Sequence, residues 1–227
     1  MSIITNYSNI LKNINETAKT CNRDPKTITL LPVSKTFPAE AMIELINEGI
    51  EIFGENKVQE AKIKKQILEK KCSLHLIGHL QSNKVRDAVG LFDMIHSIDK
   101  FSTAKDVDKE AGKISKIQKI LVEVNTSGEG SKFGVNPDNA EDLCKEILTL
   151  ENIKLQGLMT IGPLTDDRDQ IRKSFRLLNE IKNIIAKTAP DFNILSMGMS
   201  SDYDIAIEEG ATIIRVGSAI FGKRDYG

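Results

Sequence analysis

The sequence is poor in cysteine, and its three cysteines, Cys21, Cys72 and Cys144, stand far apart without a C-x-x-C pair. An odd number of scattered cysteines with no histidine cluster beside them excludes a disulfide framework and a cysteine-rich zinc site. His75 and His79 are four residues apart, but no cysteine or carboxylate set accompanies them. We therefore predict no metal site.

A surplus of charge of one sign and long apolar runs are also lacking. The 31 lysines and arginines are balanced by 32 aspartates and glutamates, which leaves a net charge of -1 and no basic surplus for nucleic acid or anionic lipid. Polar side chains interrupt the N-terminal residues, and no run approaches the roughly 20 apolar residues of a membrane helix. We expect a cytoplasmic protein that binds neither nucleic acid nor a membrane.

The composition is that of an ordinary globular protein, with 40% hydrophobic and 28% charged residues among 227. No internal repeat, low-complexity tract or linker divides the chain. Because chains of this length often form one barrel domain, we predict a single domain over residues 1–227.

Short apolar runs alternate with amphipathic helical patterns along the chain. Strands are predicted at eight runs: Ile28 to Val33, Ile50 to Phe53, Leu74 to Ile77, Phe92 to His96, Ile117 to Val124, Ile153 to Met159, Ile194 to Ser196 and Thr212 to Val216. Since these runs are mainly apolar rather than alternating, helices are expected to cover both faces of the sheet. Eight strand-helix units predict an α/β fold, the (β/α)8 TIM barrel.

The helical segments carry their own signals. An additional N-terminal helix is predicted from Ser2 to Cys21, and the clearest later helix from Asp169 to Lys187, because apolar residues repeat there at three- and four-residue steps. Gly49 is predicted to end the helix after the first strand as its C′ residue.

An open doubly wound sheet is the alternative to the barrel. Such a sheet favours a phosphate-binding G-x-G-x-x-G turn after its first strand. The sequence at that point, Ser34-Lys35-Thr36-Phe37, is not such a turn. The barrel is therefore preferred.

Lys35 is the first candidate site residue. The chemistry of barrel enzymes lies at the carboxyl ends of the strands, and Lys35 follows the first predicted strand, with its amine expected at the mouth of the barrel. A partly desolvated lysine in such a position is suited to forming a Schiff base. The alternative is a solvated lysine at the start of a loop.

The C-terminal part of the chain offers a phosphate site. Barrels often bind phosphate between the loops that follow strands 7 and 8, which here contain residues 198–202 and Gly217-Ser218. Glycine lets the backbone approach a phosphate and Ser200 can donate a hydroxyl, although a polar residue of this loop could instead be a helix N-cap. A Schiff-base lysine opposite a phosphate cradle suits an aldehyde that carries a phosphate, and pyridoxal 5′-phosphate (PLP) is the obvious one.

Arg215 lies on the same face of strand 8 as Gly217. An arginine that points into a barrel needs a partner, because an unpaired buried charge is costly. Donation to the pyridine nitrogen of PLP would keep that nitrogen unprotonated and weaken the ring as an electron sink. The alternative is an arginine–carboxylate pair inside the barrel.

Several blocks resemble the pyridoxal-phosphate homeostasis protein family, in order from about Leu31 to the C-terminus. These blocks are Val33-Ser34-Lys35, Phe53-Gly54-Glu55-Asn56, His75-Leu76-Ile77-Gly78 with Leu80-Gln81-Ser82-Asn83-Lys84, Gly157-Leu158-Met159, residues 195–200 and residues 214–222. The last two blocks are the longest and most specific.

The resemblance implies a fold similar to the N-terminal barrel domain of alanine racemase, with PLP held as an internal aldimine on Lys35. It further implies the remaining site residues: Asn56 beside the cofactor, Ser200 and the backbone of Gly217 and Ser218 around the phosphate, and Arg215 facing the pyridine nitrogen. Lys57 stands where an aromatic residue is common in the family, and the loop around Lys132 only approximates the family's lysine-containing loop. The roles of Lys132 and His79 stay open.

A cofactor carrier is the preferred function. The resemblance implies a protein that binds PLP, limits the free cofactor and supports its supply to PLP-dependent apo-enzymes without established catalysis, so no catalytic residue is predicted. A PLP-dependent racemase-like enzyme is the alternative, but it needs a second acid or base opposite the cofactor. The chain ends at Gly227, soon after strand 8, and we expect no room for the domain that supplies this group in racemases.

A Schiff-base aldolase without a cofactor is a third possibility. Such a site usually surrounds its lysine with carboxylates, whereas Glu55 is the only carboxylate at a predicted strand end near Lys35. The pattern does not distinguish a monomer from a weak homodimer.

Overall fold

The structure is a computed structural model and describes residues 2–69 and 71–222. Its strands are β1 (Thr29–Pro32), β2 (Ile52–Glu55), β3 (Ser73–Leu76), β4 (Met94–Ile98), β5 (Gln118–Glu123), β6 (Ile153–Met159), β7 (Ile194–Ser196) and β8 (Ile213–Val216). They form one parallel sheet in the order β1-β8-β7-β6-β5-β4-β3-β2.

The two ends of the sheet meet beside Lys35. A parallel bridge joins Val33 to Gly54, and the Ser34 N–H donates to the Gly54 carbonyl oxygen at 3.0 Å. These contacts connect β1 to β2 and bring the sheet round into a nearly closed barrel. The predicted (β/α)8 barrel is confirmed, and the open sheet is not formed.

Helices cover the outer face of the barrel. In the described residues they are α1 (Ile3–Thr20), α2 (Ala39–Asn47), α3 (Val58–Leu68), α4 (Val85–Leu91), α5 (Phe101–Lys113), α6 (Ala140–Ile147), α7 (Arg168–Ile185), α8 (Tyr203–Glu208) and α9 (Ser218–Phe221). Burial of both faces of the strands explains why their sequences are apolar rather than alternating.

The additional N-terminal helix is present and supports the C-terminal loops. Ser2 caps α1, since its Oγ accepts from the Thr5 N–H at 3.1 Å. One turn further along α1, Asn6 Nδ2 donates to the carbonyl oxygen of Ile220 at 3.0 Å. The helix therefore packs against α9, the element that follows β8.

The end of α2 shows why β2 begins later than predicted. Gly49 has a φ of 85°, and its N–H donates to the Ile46 carbonyl oxygen at 2.9 Å. The Ile50 N–H donates to the Leu45 carbonyl oxygen at 3.1 Å. This pair of bonds is a Schellman motif, with Gly49 at the predicted C′ position. Ile50 belongs to the helix ending, so the predicted start of the strand is two residues too early.

A similar error affects β4. The Phe92 N–H donates to the Ala88 carbonyl oxygen at 2.9 Å, which makes this aromatic residue the end of α4, and the strand begins at Met94. The bounds predicted for the sixth and seventh strands, in contrast, agree with the structure.

The barrel interior has an apolar layer and a polar layer. Met94, Leu121 and Met159 form a small core cluster with Ile194 against it, separate from the larger core under the helices. Side chains two residues apart on a strand share a face. Two positions after Met94, Leu121 and Ile194, and two positions after Ile213 on β8, the residues are buried and polar: His96, Glu123, Ser196 and Arg215. This polar layer lies nearer the carboxyl ends of the strands.

None of the helices in the described ranges is both long enough and apolar enough to cross a lipid bilayer.

Candidate functional site

Lys35 lies in the loop that follows the closing bridge, and its side chain is half-buried. In the same loop the ring of Phe37 stacks on that of Phe221, with centroids 5.2 Å apart, which ties the loop after β1 to the helix after β8. Thr36 has a φ of 70°. A β-branched residue adopts this conformation only under strain. The surrounding structure therefore imposes the backbone conformation next to Lys35.

A buried ammonium group packs against this loop. Lys64 of α3 is 4% exposed, and its Nζ donates at 2.7 Å to each of three oxygens: Ser34 O, Glu55 Oε1 and Glu60 Oε1. The Ser34 hydroxyl also donates to Glu55 Oε1 at 2.6 Å, and the Thr36 N–H donates to Glu60 Oε1 at 2.6 Å. The network thus holds the residues on both sides of Lys35.

The carboxyl group of Glu55 depends on this ammonium. Burial raises the pKa of Glu55, while the charge and hydrogen bond of Lys64 and the hydroxyl of Ser34 act in the opposite direction. Glu55 Oε2 is buried and has no hydrogen-bond partner in the described part of the chain. Removal of Lys64 would leave a buried carboxyl group without its cation, which is costly.

The loops after β7 and β8 meet each other and the loop that contains Lys35. The Arg215 N–H donates to the Gly198 carbonyl oxygen at 3.0 Å. A Cβ atom on Gly217 would lie 3.3 Å from the carbonyl oxygen of Val33, so these backbones are in close approach. Gly198 has a φ of 91°, and a Cβ atom there would come within 2.5 Å of Ala206 Cβ. Both loops therefore use glycine for close packing.

These loops present unused donors. The N–H groups of Ser200, Gly217 and Ser218 donate to no other residue among those described, and neither do the two serine hydroxyls. Ser200 is half-buried and Ser218 is exposed. Backbone N–H groups without acceptors, combined with hydroxyls, form a cradle that suits an anion such as phosphate.

Asn56 follows β2 on the other side of Lys35. Gly78 packs tightly against it, since a Cβ atom on Gly78 would lie 2.2 Å from the Asn56 carbonyl oxygen and 2.6 Å from Oδ1. Asn56 also lines a cavity of about 660 Å³ at the mouth of the barrel. The strands that carry Asn56, Lys35, Gly217 and Ser200 are neighbours around the barrel, so the predicted residues line one continuous arc.

Arg215 lies inside the barrel and is 4% exposed. Its Nη1 donates to the Ser196 hydroxyl and its Nη2 to the Thr160 carbonyl oxygen, both at 2.8 Å. Arg215 forms no ion pair with any described carboxylate. The arginine–carboxylate pair that the sequence left as an alternative is therefore not seen among the described residues. Burial lowers the pKa of Arg215 to about 10, with the charges of Glu123 and Asp202 opposing the shift, so the guanidinium stays protonated at neutral pH.

Two buried histidines continue this hydrogen-bond chain across the barrel. Ser196 Oγ lies 3.0 Å from His96 Nδ1, and His96 Nε2 lies 2.9 Å from His75 Nδ1. Burial lowers the pKa of His75 to about 4 and that of His96 well below its usual value, with the neighbouring His75 and Arg215 adding to the shift of His96. Both imidazoles are neutral at pH 7 and hold the serine that accepts from Arg215.

Glu123 is the remaining charged residue of the polar layer. It is 4% exposed, and its carboxyl group accepts no hydrogen bond from the described residues. Burial raises the pKa of Glu123 to about 7, opposed by the charge of Arg215 and assisted by that of Asp99. This residue lies at the end of β5 and lines the same cavity as Asn56.

The two residues whose roles the sequence left open lie at the rim. Lys132 Nζ donates to Glu129 Oε1 at 2.8 Å and to the Gly162 carbonyl oxygen at 2.7 Å, which pins its loop to the loop after β6. The ring of His79 stacks on Phe133 with centroids 3.9 Å apart. No group of three or more potential metal ligands occurs within residues 2–69 and 71–222.

Sequence reasoning missed the residues that support this arc. Lys64 belongs to the lysine-rich pattern of α3 and resembles a solvated residue until the fold buries it. A signal did exist for Glu123 and His96, because each is a polar residue within a predicted apolar strand.

Comparisons with known proteins find similarity along nearly the whole chain. A profile of the family described as "Alanine racemase, N-terminal domain" matches residues 5–225. The chain is 39% identical to the pyridoxal phosphate homeostasis protein of Aquifex aeolicus, with 100% of both chains covered. It is 36% identical to the protein of that name from Escherichia coli, with 99% of this chain and 97% of the other covered.

Solved structures share the fold of the chain. PipY of Synechococcus elongatus, in a structure with PLP bound, is 36% identical and superposes with a TM-score of 0.82, covering 92% of this chain and 100% of that one. An alanine racemase of Clostridium difficile superposes with a TM-score of 0.75 at 15% identity, covering 95% of this chain and 57% of that one. The second similarity is one of fold alone.

Proposed function

The chain belongs to the pyridoxal phosphate homeostasis protein family, built on the alanine racemase N-terminal domain, and from this premise we propose that it binds PLP through Lys35 and keeps the cofactor available to other enzymes. One observation carries the proposal. The loop of Lys35 and the unused N–H groups of Gly217 and Ser218 lie against each other, through the close approach of Val33 and Gly217.

The residues fit both ends of the cofactor. PLP supplies an aldehyde that condenses reversibly with a primary amine, with the loss of one water, and a phosphate that needs an anion cradle. Lys35 offers the amine. The N–H groups of Gly217 and Ser218, with the hydroxyls of Ser200 and Ser218, offer the cradle.

Arg215 is proposed to donate to the pyridine nitrogen, and Asn56 to lie beside the ring. A guanidinium that stays protonated donates a hydrogen bond without giving up its proton, so the ring nitrogen stays neutral and withdraws electrons weakly. Ser196 and the Thr160 carbonyl oxygen hold this guanidinium in place. These residues favour holding the aldehyde over stabilising carbanions.

A carrier must also release its cofactor. We propose that the protein passes PLP to PLP-dependent apo-enzymes in the cytoplasm, works as a monomer or weak homodimer, and does not turn over amino acids. The names of the full-length relatives support the homeostasis role.

Transfer and turnover can be measured separately. Holo-protein mixed with a PLP-requiring apo-enzyme should restore that enzyme's activity, and a Lys35→Ala variant taken through the same PLP loading and desalting should not. A panel of amino acids incubated with the holo-protein should yield no product above the level of free PLP. Robust turnover of any one amino acid would overturn the carrier function in favour of a racemase-like enzyme.

A further inference from the structure

The cavity beside Asn56 contains charged residues that the binding of PLP does not use. It measures about 660 Å³, opens at the mouth of the barrel, and is lined by Lys57, Lys84, His79, Phe133 and Glu123 among others. Because it adjoins the arc of Lys35, a small molecule in it would be next to the cofactor.

Glu123 gives this cavity an unpartnered acidic group. Glu123 is 4% exposed, and its carboxyl group neither accepts a hydrogen bond nor forms an ion pair among the described residues. The guanidinium of Arg215 is near enough to influence it, but both of its bonding Nη atoms are directed at Ser196 and Thr160. A buried carboxylate without a partner is costly, and a ligand that carries a cation would relieve that cost.

The rim of the cavity carries the opposite charge. Lys57 is exposed and Lys84 half-buried, and neither ammonium group pairs with a carboxylate in the described residues. The stacked rings of His79 and Phe133 also line this cavity. The cavity thus has an acidic group inside and two cations at its entrance.

We propose that this cavity is a binding site for an amino acid, with its ammonium group at Glu123 and its carboxylate at Lys57 and Lys84. The inference rests on the proposed function, because the amino acid would be the amine that displaces Lys35 from the cofactor. Charge complementarity selects a small zwitterion over a simple amine or a simple acid.

The exchange balances without any oxidant or reductant. The ammonium group gives a proton to the Glu123 carboxylate, and the free amine bonds to the cofactor carbon that Lys35 holds. The bond from that carbon to Lys35 Nζ would then break, the two hydrogens of the incoming amine would pass to Nζ, and Lys35 would leave as an amine. Burial raises the pKa of Glu123 to about 7, which suits a group that takes up and returns a proton near neutral pH.

Binding can be separated from exchange by reducing the holo-protein with borohydride, which fixes the cofactor on Lys35. Saturation-transfer NMR would then compare L-alanine with ethylamine, which lacks the carboxylate, and propionate, which lacks the amine. L-Alanine should bind more tightly than either. Glu123→Gln should weaken L-alanine binding on the order of tenfold, the effect of losing one charged hydrogen bond.

The rim has its own variant and a matched control. Lys57→Met with Lys84→Met should abolish the preference for L-alanine over ethylamine. Lys62→Met with Lys109→Met removes the same charge from exposed positions on α3 and α5 and should retain that preference. In the unreduced holo-protein, Glu123→Gln should slow the spectral change caused by L-alanine, while the spectrum before addition stays the same.

Two failures are distinguishable. If the purified protein never acquires a borohydride-trapped PLP, the proposed function fails first. If it does, but L-alanine binds no better than ethylamine, or binds equally well to the Glu123→Gln variant, the amino-acid site alone is overturned.

Discussion

Lys64 Nζ donates to the carbonyl oxygen of Ser34 at 2.7 Å, so an ammonium group on the outer helix α3 fixes the backbone immediately before Lys35. The same ammonium holds Glu60, whose carboxylate accepts from the N–H of Thr36 immediately after it. The backbone on both sides of the proposed cofactor-binding lysine is therefore held by a buried charge on the outer helix.

Lys64→Met should destabilise the protein and reduce its PLP content. The variant leaves Glu55 buried without its cation, which typically costs about 3–5 kcal/mol. Chemical denaturation would measure the free energy of unfolding. The absorbance of bound PLP would measure the fraction of the protein that carries the cofactor. Lys65→Met is the control, because it loses one hydrogen bond, to the Cys72 carbonyl oxygen, worth about 1 kcal/mol. Equal effects from the two variants would contradict the role of the network.

Gly198→Ala should weaken PLP binding as well as stability. An alanine is strained at a φ of 91°, and its Cβ atom would also approach Ala206 Cβ to 2.5 Å. Together these effects should lower the free energy of unfolding by about 1–3 kcal/mol. Gly49→Ala is the control, because it introduces only the strain of a positive φ. Nothing lies within 4 Å of its Cβ position. Unfolding curves and PLP titrations of both variants would test this. A Gly198→Ala variant with unchanged PLP affinity would contradict the close packing of the cradle loops.

Ser200→Ala combined with Ser218→Ala should weaken the binding of PLP. The binding of pyridoxal, which lacks the phosphate, should not change. A hydrogen bond to a charged group is worth about 1.5–3 kcal/mol, so the affinity for PLP should fall by at least about tenfold. Ser102→Ala, an exposed serine on α5, should change neither affinity. An equal loss for PLP and pyridoxal would show that these serines do not face the phosphate.

The buried histidines should make the protein sensitive to acid. The folded pKa of His75 is lowered from 6.5 to about 4, so below pH 6.5 the unfolded chain binds protons that the folded chain does not. Each such group should remove about 1.4 kcal/mol of stability per pH unit until the folded pKa is reached. His75→Asn should therefore make the fall in unfolding free energy between about pH 6.5 and about pH 4.5 shallower. Identical slopes for the two proteins would contradict a neutral buried His75.

The fold was predictable because its signals are local. The runs that became β6 and β7 are bounded by polar or glycine-bearing turns, so their limits agree with the structure. The errors in strand bounds arose where an apolar residue belongs to the end of a helix. Ile50 is part of the Schellman motif after α2, and Phe92 is part of the end of α4. Such endings depend on backbone conformation that an apolar pattern does not encode.

The supporting residues were harder to predict because they act across the barrel. Lys64 meets Ser34 and Glu55 only because the sheet closes between β1 and β2 and α3 packs beside that closure. The contact between His96 and Ser196 joins residues 100 positions apart in sequence. Lys35, in contrast, could be named from its place after a strand, since the ends of barrel strands have a known relation to the site.

The most direct test of the account is to identify the residue that carries the cofactor. The purified protein loaded with PLP would be reduced with borohydride, digested, and mapped by mass spectrometry, with Lys35→Ala and Lys132→Ala treated in parallel. The account predicts a phosphopyridoxyl group on Lys35 in the native protein and in the Lys132→Ala variant, and none retained after desalting in Lys35→Ala. Stoichiometric modification of another lysine, or undiminished modification of the Lys35→Ala variant, would contradict it.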